Sequence, residues 1–431
     1  MTEKLFYQDA YLKEFDAVIT EVREKDGKIL VGLDATAFYP EGGGQGADTG
    51  VIQLADGTGD NASPDAAANP PVIFRVTDVQ EADDIIWHTI EPAAEDGSVD
   101  DGMPAGDGLG TTSQPLTPGV RIHGTIDWDR RFDHMQQHSG EHIVSGIICR
   151  EFHCDNVGFH LGEDIVTIDY NTRISMEDAL RVEEIANQYI WEDHPFVVTW
   201  PTAEELRTLE YRSKKELEGA VRITSFPGAD TCACCGTHVA SSGQVGLVKF
   251  ISAHNFHEGT RLELFCGKRA VDFLSMNHQA NKKIAVLLST KEEKTPDVVQ
   301  KQIDEIVRLK ARLSQVNADY FRLWADTFRG TENVLIIDDQ LEPEEGRDLA
   351  DVIADKVPGL VAVFTKTSGK DEEPVYRYAC MQRATDISAF IREMNATLSG
   401  RGGGRDGFAQ GTVQAAASAI REFFRTKGLA E

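Results

Sequence analysis

Long apolar runs and positive charge are both scarce in this sequence. No run of apolar residues is long enough to cross a bilayer, so we expect no membrane partner. Lys and Arg together number 43 against 71 Asp and Glu, which gives a formal net charge of −28. Such a chain repels polyanions at long range, and any nucleic-acid partner has to meet locally basic surfaces.

Disulfide bonds are not expected either. The seven cysteines come without a signal peptide, which favours a reducing compartment and a cytoplasmic protein. The hydrophobic fraction of 41% is ordinary for globular cores, and 431 residues predict two or three domains. Two acidic stretches, residues 56–71 and 91–118, are rich in Gly and Asp, and we expect both to be disordered insertions.

Two histidines stand four residues apart at His138 and His142. Residues 133–150 are predicted to form a helix, which places both imidazoles on one face within reach of one ion. The metalloprotease motif needs Glu directly after the first His, but Ser139 stands there and Glu141 precedes the second His. The pair by itself is equally compatible with two surface histidines.

A second pair, Cys234 and His238, lies in a distant segment with Gly236 between them. The glycine suits a tight turn that directs both side chains inward. Three imidazoles and a thiolate can fill a tetrahedral zinc site. We therefore predict one Zn²⁺ per chain, held by four ligands: His138, His142, Cys234 and His238.

Cys232 and Cys235 crowd the same loop and form a Cys-x-x-Cys pair. A disulfide cluster and a structural knuckle with four cysteine ligands are the two alternatives to the mixed site. The reducing compartment argues against the first alternative. No second Cys-x-x-Cys exists in the chain, which argues against the other.

A glycine triplet at residues 42–44 precedes Gln45 near the N-terminus. Consecutive glycines let a backbone approach a ligand closely and expose several N–H donors. The alternative is a flexible hairpin loop. The spacing fits neither a P-loop nor a dinucleotide fingerprint, so ATP binding is not expected.

The predicted fold class is multidomain α+β, in four segments. Alternating apolar residues predict strands at 15–22, 28–33, 72–79, 84–89 and 120–128. We expect a β-barrel-like domain at 1–128 and an α+β zinc-containing domain at 129–275. A long amphipathic helix that can pair as a coiled coil forms a spacer at 276–328, and a small α/β domain closes the chain at 329–431.

Candidate anion contacts lie in the second half of the chain. A Gly-rich loop at residues 400–406 carries Arg401 and Arg405, and it can admit a phosphate backbone and hold it by charge. A mobile loop without a ligand is the alternative. Further basic candidates, each of which can equally be a solvated side chain, are Arg207, Arg212, Lys214, Lys215, Lys282 and Lys283.

These motifs, in this order, resemble the editing half of alanyl-tRNA synthetase and the freestanding alanyl-tRNA editing proteins. The resemblance covers nearly the whole chain and includes the glycine motif at 38–45 and both metal half-sites. Residues 395–411 resemble the C-terminal domain shared with DHH-type phosphoesterases, although the chain has no Asp-His-His triplet. A threonyl-tRNA synthetase editing domain shares the metal-site fold, but not the glycine motif or this C-terminal domain.

The sequence departs from the family pattern at several places. Cys235 replaces the first Gly of Cys-Gly-Gly-Thr-His, which adds a competing thiolate, and Ser139 and Gly140 replace Thr and Ala in the first half-site. The two acidic insertions have no family counterpart that we can match. The aminoacylation domain is absent, so we do not expect a synthetase.

The resemblance implies hydrolysis of the ester that joins serine, or glycine, to the 3′ end of tRNA(Ala). Zinc would polarise the carbonyl, activate water or position the substrate. The implied recognition residues for the amino acid are Gln45, Gly43 and Gly44, and the implied RNA contacts are Arg212, Lys214, Lys215, Arg401 and Arg405. The alternative is a non-catalytic tRNA-binding protein with a structural zinc site. A homodimer would form through the long helix or the C-terminal domain.

Overall fold

The computed structural model describes residues 1–54, 72–93, 116–213, 220–367 and 374–429. The chain divides into two compact units, Met1–Ala280 and Asn281–Glu431. Sheets and helices occur in both, which confirms the multidomain α+β class. The four boundaries predicted from the sequence stay predictions. The acidic stretch at 56–71 lies outside the described residues, as does most of 91–118, whose first two residues end a strand.

A closed barrel forms the first part of unit 1, with strand order β2–β3–β7–β6–β5–β8. The elements are β1 (Glu3–Lys4), α1 (Leu5–Gln8), β2 (Glu14–Lys25), β3 (Lys28–Leu33), β4 (Ala35–Thr36), β5 (Gly50–Leu54), β6 (Ile73–Ala82), β7 (Ile85–Pro92) and β8 (Arg121–Ile126). Asp26 and Gly27 join β2 to β3 with φ of 53° and 74°, the left-handed conformation that a two-residue hairpin requires. Alternate apolar side chains fill the interior.

The second part of unit 1 packs helices against antiparallel sheets. Its elements are α2 (Trp128–Phe152), β9 (Asn156–Leu161), β10 (Val166–Tyr170), α3 (Met176–Trp191), β11 (Val197–Thr199), α4 (Ala203–Leu206), β12 (Ile223–Phe226), β13 (Asp230–Ala233), β14 (Val248–Phe256), β15 (Gly259–Cys266) and the greater part of α5 (Gly267–Leu287). One sheet has the order β14–β15–β10–β9, and the other has β11–β12–β13. Strand β9 was not predicted from the sequence.

Helix α2 is the central element of this part. Asp127 caps its N-terminus by accepting a hydrogen bond from the Arg130 backbone N–H. All residues from His134 to Ile148 are buried, the polar ones included. Because a buried polar side chain is destabilising without a hydrogen-bond partner, the polar residues of α2 have to be matched by neighbouring elements. That requirement explains the network described below.

Unit 2 contains a long helix and a small α/β domain. Its elements are α6 (Thr295–Asp326), β16 (Val334–Asp338), α7 (Pro343–Ala354), β17 (Val361–Lys366), β18 (Val375–Met381), α8 (Ser388–Thr397), β19 (Arg401–Arg405), β20 (Phe408–Gln414) and α9 (Ala417–Thr426). The sheet order is β16–β17–β18–β20–β19, with β16 and β17 parallel. The apolar stripe of α6 is exposed; Ile306, Leu309 and Leu313 each expose 52–57% of their surface.

The Gly-rich segment at 400–406 is mostly a strand, so the prediction of a loop there was wrong. Residues 401–405 form β19, which pairs with β20 in an antiparallel register. Glycine is required because the neighbouring backbone lies so close. A Cβ on Gly404 would lie 1.8 Å from the Phe408 carbonyl oxygen, and one on Gly402 would lie 2.6 Å from the Tyr378 hydroxyl.

No helix among the described residues is both long and apolar enough to span a membrane.

A candidate metal centre beside the glycine-rich turn

Helix α2 and the loop after β13 bring four metal-capable side chains together. One ligand atom from each of His138, His142, Cys234 and His238 lies within 4.8 Å of the other three. The close approach of the loop to the helix depends on Gly236. A Cβ there would lie 2.1 Å from the Cε1 atom of His138, so no other residue fits without displacing the imidazole. The structure thus places all four predicted ligands in one cluster.

Two of the imidazoles are held through Nδ1, with Nε2 turned toward the thiol. Nδ1 of His138 lies 2.9 Å from Oε1 of Gln45, and Nδ1 of His238 lies 3.2 Å from Oγ of Ser139. Their Nε2 atoms lie 3.5 and 3.4 Å from Sγ of Cys234. A hydrogen bond at one ring nitrogen fixes the ring and leaves the other nitrogen free for a metal.

The third imidazole, His142, is held by a carboxylate. Its Nδ1 atom lies 2.9 Å from Oδ2 of Asp230, which is buried on β13. Nε and Nη2 of Arg212 donate to the same carboxylate at 2.8 and 2.7 Å. Burial alone would raise the pKa of Asp230, but the hydrogen bonds from His142 and Arg212 hold it at about 2. The carboxylate is therefore charged and orients the His142 ring.

The electrostatics of the cluster suit a metal cation. Burial would raise the pKa of the Cys234 thiol, but the three surrounding histidines hold it well below its usual range. Burial lowers the pKa of His238 to about 3. Burial would also lower the pKa of His142, but Glu141, Cys234 and Asp230 raise it above the usual range. A metal that binds His142 would therefore displace a proton from its ring. A thiolate among imidazoles is a donor set that fits Zn²⁺.

Gln45 lies beneath the cluster and not on its surface. Its side chain is 1% exposed. Besides the contact with His138, Oε1 accepts a hydrogen bond from the Thr237 backbone N–H at 3.2 Å, and Nε2 donates to Oγ1 of Thr237 at 2.9 Å. The amide therefore ties the barrel to the metal-binding loop. A role for this side chain in reading the amino acid stays a prediction.

Gly43 and Gly44 do lie at the surface. They form the tip of a turn closed by two backbone hydrogen bonds of 3.0 Å between residues 42 and 45. Both have positive φ, 63° and 86°, and a Cβ on Gly44 would lie 2.6 Å from Cδ1 of Phe159. No described residue accepts a hydrogen bond from either backbone N–H. Two donors at this turn are thus free to bind a ligand beside Cys235, whose Sγ lies 3.1 Å from the Cβ position of Gly43.

The structure describes three of the five residues that were predicted to contact RNA. Arg212 pairs with Asp230 and supports the metal centre, and its predicted contact with RNA stays a prediction. Lys214 and Lys215 lie outside the described residues. Arg401 and Arg405 are exposed on β19, at the edge of the sheet.

Two residues of the site escaped the sequence analysis. Asp230 and Arg222 carry no spacing signal relative to the ligands, and β13 was not predicted. His134 lies on α2, one turn before His138. It is 2% exposed, its Nδ1 has no hydrogen-bond partner among the described residues, and burial lowers its pKa to about 4.

Comparisons with known proteins agree with these motifs. Residues 221–262 match the family model described as the threonyl and alanyl tRNA synthetase second additional domain. The alanyl-tRNA editing protein AlaX-M of Methanosarcina acetivorans is 34% identical over 274 residues, which cover 62% of this chain and 98% of that protein. The chain belongs to the alanyl-tRNA editing protein family. The editing protein AlaX-L of Pyrococcus horikoshii is 26% identical over 96% of this chain and 95% of its own length.

The synthetases themselves are longer. The alanine–tRNA ligase of Pyrococcus abyssi is 28% identical over 428 residues, which cover 96% of this chain but 42% of the ligase. The chain thus spans about two fifths of the length of that relative. Among solved structures, the C-Ala domain of Aquifex aeolicus alanyl-tRNA synthetase matches at 24% identity with a TM-score of 0.19, over 24% of this chain and 96% of that domain.

Proposed function

We propose that this family member is a trans-editing hydrolase that removes serine, or glycine, from mischarged tRNA(Ala) by cleaving the aminoacyl ester. The observation that carries the proposal is the convergence of three oriented imidazoles and one thiolate beside an exposed turn with free N–H groups. The names of the related editing proteins support the choice of substrate. An aminoacyl ester is already activated, so the enzyme mainly needs to position it and to stabilise an oxyanion.

The residues of the site have three different proposed roles. His138, His142, Cys234 and His238 would hold one Zn²⁺, which when bound can polarise the ester carbonyl, activate a water or hold the substrate amine. Gln45, Ser139 and Asp230 keep the three rings in place through Nδ1. The N–H groups of Gly43 and Gly44 would donate to the ester carbonyl as negative charge develops on it.

The correct product, Ala-tRNA(Ala), is distinguished by a missing hydroxyl. A seryl group carries a hydroxyl that can form a hydrogen bond with the site, and an alanyl group cannot form this bond. Recognition of the rest of the tRNA is assigned to the C-terminal segment, 329–431, through Arg401 and Arg405. The helical segment 276–328 serves as the spacer, and its exposed apolar stripe offers a contact for a homodimer.

The test is deacylation of Ser-tRNA(Ala) by zinc-loaded protein. Wild type should release serine, and His138→Ala/His142→Ala should lose this activity because two of the four ligands are gone. His254→Ala is the matched control, since this imidazole is 64% exposed on β14 and should leave activity unchanged. Intact ester after incubation with zinc-loaded wild type that still binds tRNA would favour the non-catalytic alternative.

A further inference from the structure

A cavity of about 430 Å³ opens against the metal-binding loop, on the side of Cys234 that faces α1. Its volume lies within the range of about 300–1,000 Å³ that small-molecule sites occupy. The residues on its wall include two aromatic rings, two cations and two thiols: Tyr7, Trp200, Lys4, Arg222, Cys234 and Cys235. Any molecule in this cavity therefore lies next to one of the proposed metal ligands.

The aromatic part of the wall is built from Tyr7 and Trp200. Their rings meet edge to face, with centroids 5.7 Å apart and an interplanar angle of 71°. Trp200 is 51% exposed, although a ring of this size is usually largely buried. An exposed indole at the mouth of the cavity offers a flat surface on which a planar group can stack.

The charged part of the wall is Arg222. It is 9% exposed, and its guanidinium lies 5.1 Å from the centre of the Tyr7 ring. Nη1 donates to the carbonyl oxygens of Cys234 and Gly236 at 2.8 and 2.9 Å. No carboxylate among the described residues pairs with it, and its Nε–H has no hydrogen-bond partner there. A buried cation without a counter-charge is destabilising unless an anion joins it. Lys4, in contrast, pairs with Glu81.

We propose that this cavity holds the 3′-terminal nucleotide of the tRNA substrate. The base stacks on Trp200 with Tyr7 at its edge, and its 5′-phosphate lies against Arg222. The inference rests on the proposed function, because the amino acid is esterified to the ribose of this same nucleotide. A nucleotide seated here brings its ester to the Cys234 side of the cavity, beside the metal centre. Stacking needs no base-specific hydrogen bonds, and a single arginine neutralises one phosphate in an otherwise acidic chain.

The binding test uses a short RNA hairpin that ends in CCA, with 2-aminopurine in place of the terminal adenine. Stacking on Trp200 should quench the 2-aminopurine fluorescence, and Trp200→Ala should abolish the quenching and weaken binding about tenfold. Trp191→Ala is the matched control, because this indole is 68% exposed at the end of α3 and does not line the cavity. Equal quenching by the two variants would overturn the proposal.

Kinetics separate this inference from the proposed function. With Ser-tRNA(Ala), Trp200→Ala should raise KM about tenfold and leave kcat within about twofold of wild type. Arg222→Gln keeps a donor for the loop carbonyls and should lower the salt dependence of binding by about one phosphate contact. If wild type deacylates the tRNA but Trp200→Ala behaves as Trp191→Ala does, the cavity assignment fails and the function stands. If wild type quenches the terminal base but leaves the ester intact, the function fails and the cavity assignment stands.

Discussion

Replacement of Asp230 by Asn removes one negative charge from beneath the metal centre and keeps the shape of the side chain. The carboxylate orients the His142 ring through a contact of 2.9 Å and pairs with Arg212 through contacts of 2.8 and 2.7 Å. An amide can accept one of these bonds but cannot balance the charge of Arg212. Both the stability of unit 1 and its affinity for zinc should therefore fall.

The size of the effect follows from the pKa of this carboxyl group. Lowering the pKa from 3.8 to about 2 corresponds to roughly 2–3 kcal/mol in favour of the charged form. The lost charge-assisted hydrogen bonds lead to a similar figure, about 1.5–3 kcal/mol. Because the folded-state pKa is depressed, this contribution is fully present above about pH 4 and is lost as the pH falls toward 2. Loss of a partner that orients a ligand should reduce zinc affinity by about 10–100-fold.

The assay pairs chelator competition for zinc with urea unfolding, both near neutral pH. Asp169→Asn is the control, because Asp169 on β10 pairs with Arg261 in the same two-bond geometry, at 2.6 and 2.7 Å, away from the metal centre. It should lower stability but leave zinc affinity unchanged. If Asp230→Asn and Asp169→Asn bind zinc within about twofold of each other, the role assigned to Asp230 is refuted.

Four further predictions concern the rest of the chain. Gly236→Ala should lower zinc affinity at least about tenfold in chelator competition, since its Cβ would lie 2.1 Å from the His138 ring. Gln45→Ala should lower it about 10–100-fold by freeing the same ring. Burial lowers the pKa of His88 to about 4, so the unfolded state takes up the proton first and this residue should lower stability by roughly 3 kcal/mol from about pH 6.5 to 4. In urea unfolding, the loss of stability over this range should be smaller by about that amount in His88→Leu than in wild type. Leu309→Lys on the exposed stripe of α6 should convert a dimer to a monomer in sedimentation, if the helix is the dimer contact.

Much of the metal centre could be predicted because its information is local. His138 and His142 share a helix face by their spacing alone, and Cys234 and His238 share a short loop. Asp230 could not be predicted, because its place under His142 depends on the packing of β13 against α2. The strand β19 was missed since glycine usually signals a loop, whereas here it allows close backbone approach to β20.

Gln45 shows how a motif can be located correctly and still leave its role open. The glycine turn does lie at the metal centre, as the resemblance implied. Its glutamine, however, faces inward and holds the ring of His138, whereas Gly43 and Gly44 are exposed and their N–H groups have no acceptor among the described residues. A sequence motif can predict which residues lie close to a site. The direction of each side chain, however, depends on how two distant segments pack against each other.

Cys235 departs from the family motif and could compete with Cys234 as a thiolate ligand. The two cysteines differ in the pKa of the thiol and in their position relative to the cluster of ligand atoms. Cys234 is the member of the pair whose pKa is depressed by the histidines. Cys235 reaches the surface, but partial desolvation and then the negative charge of Cys234 raise its pKa. Cys235 is absent from the group of converging ligand atoms and lines the neighbouring cavity instead. The extra thiol therefore stays protonated on the proposed substrate side, so it changes the wall of the cavity and not the ligand set of the metal.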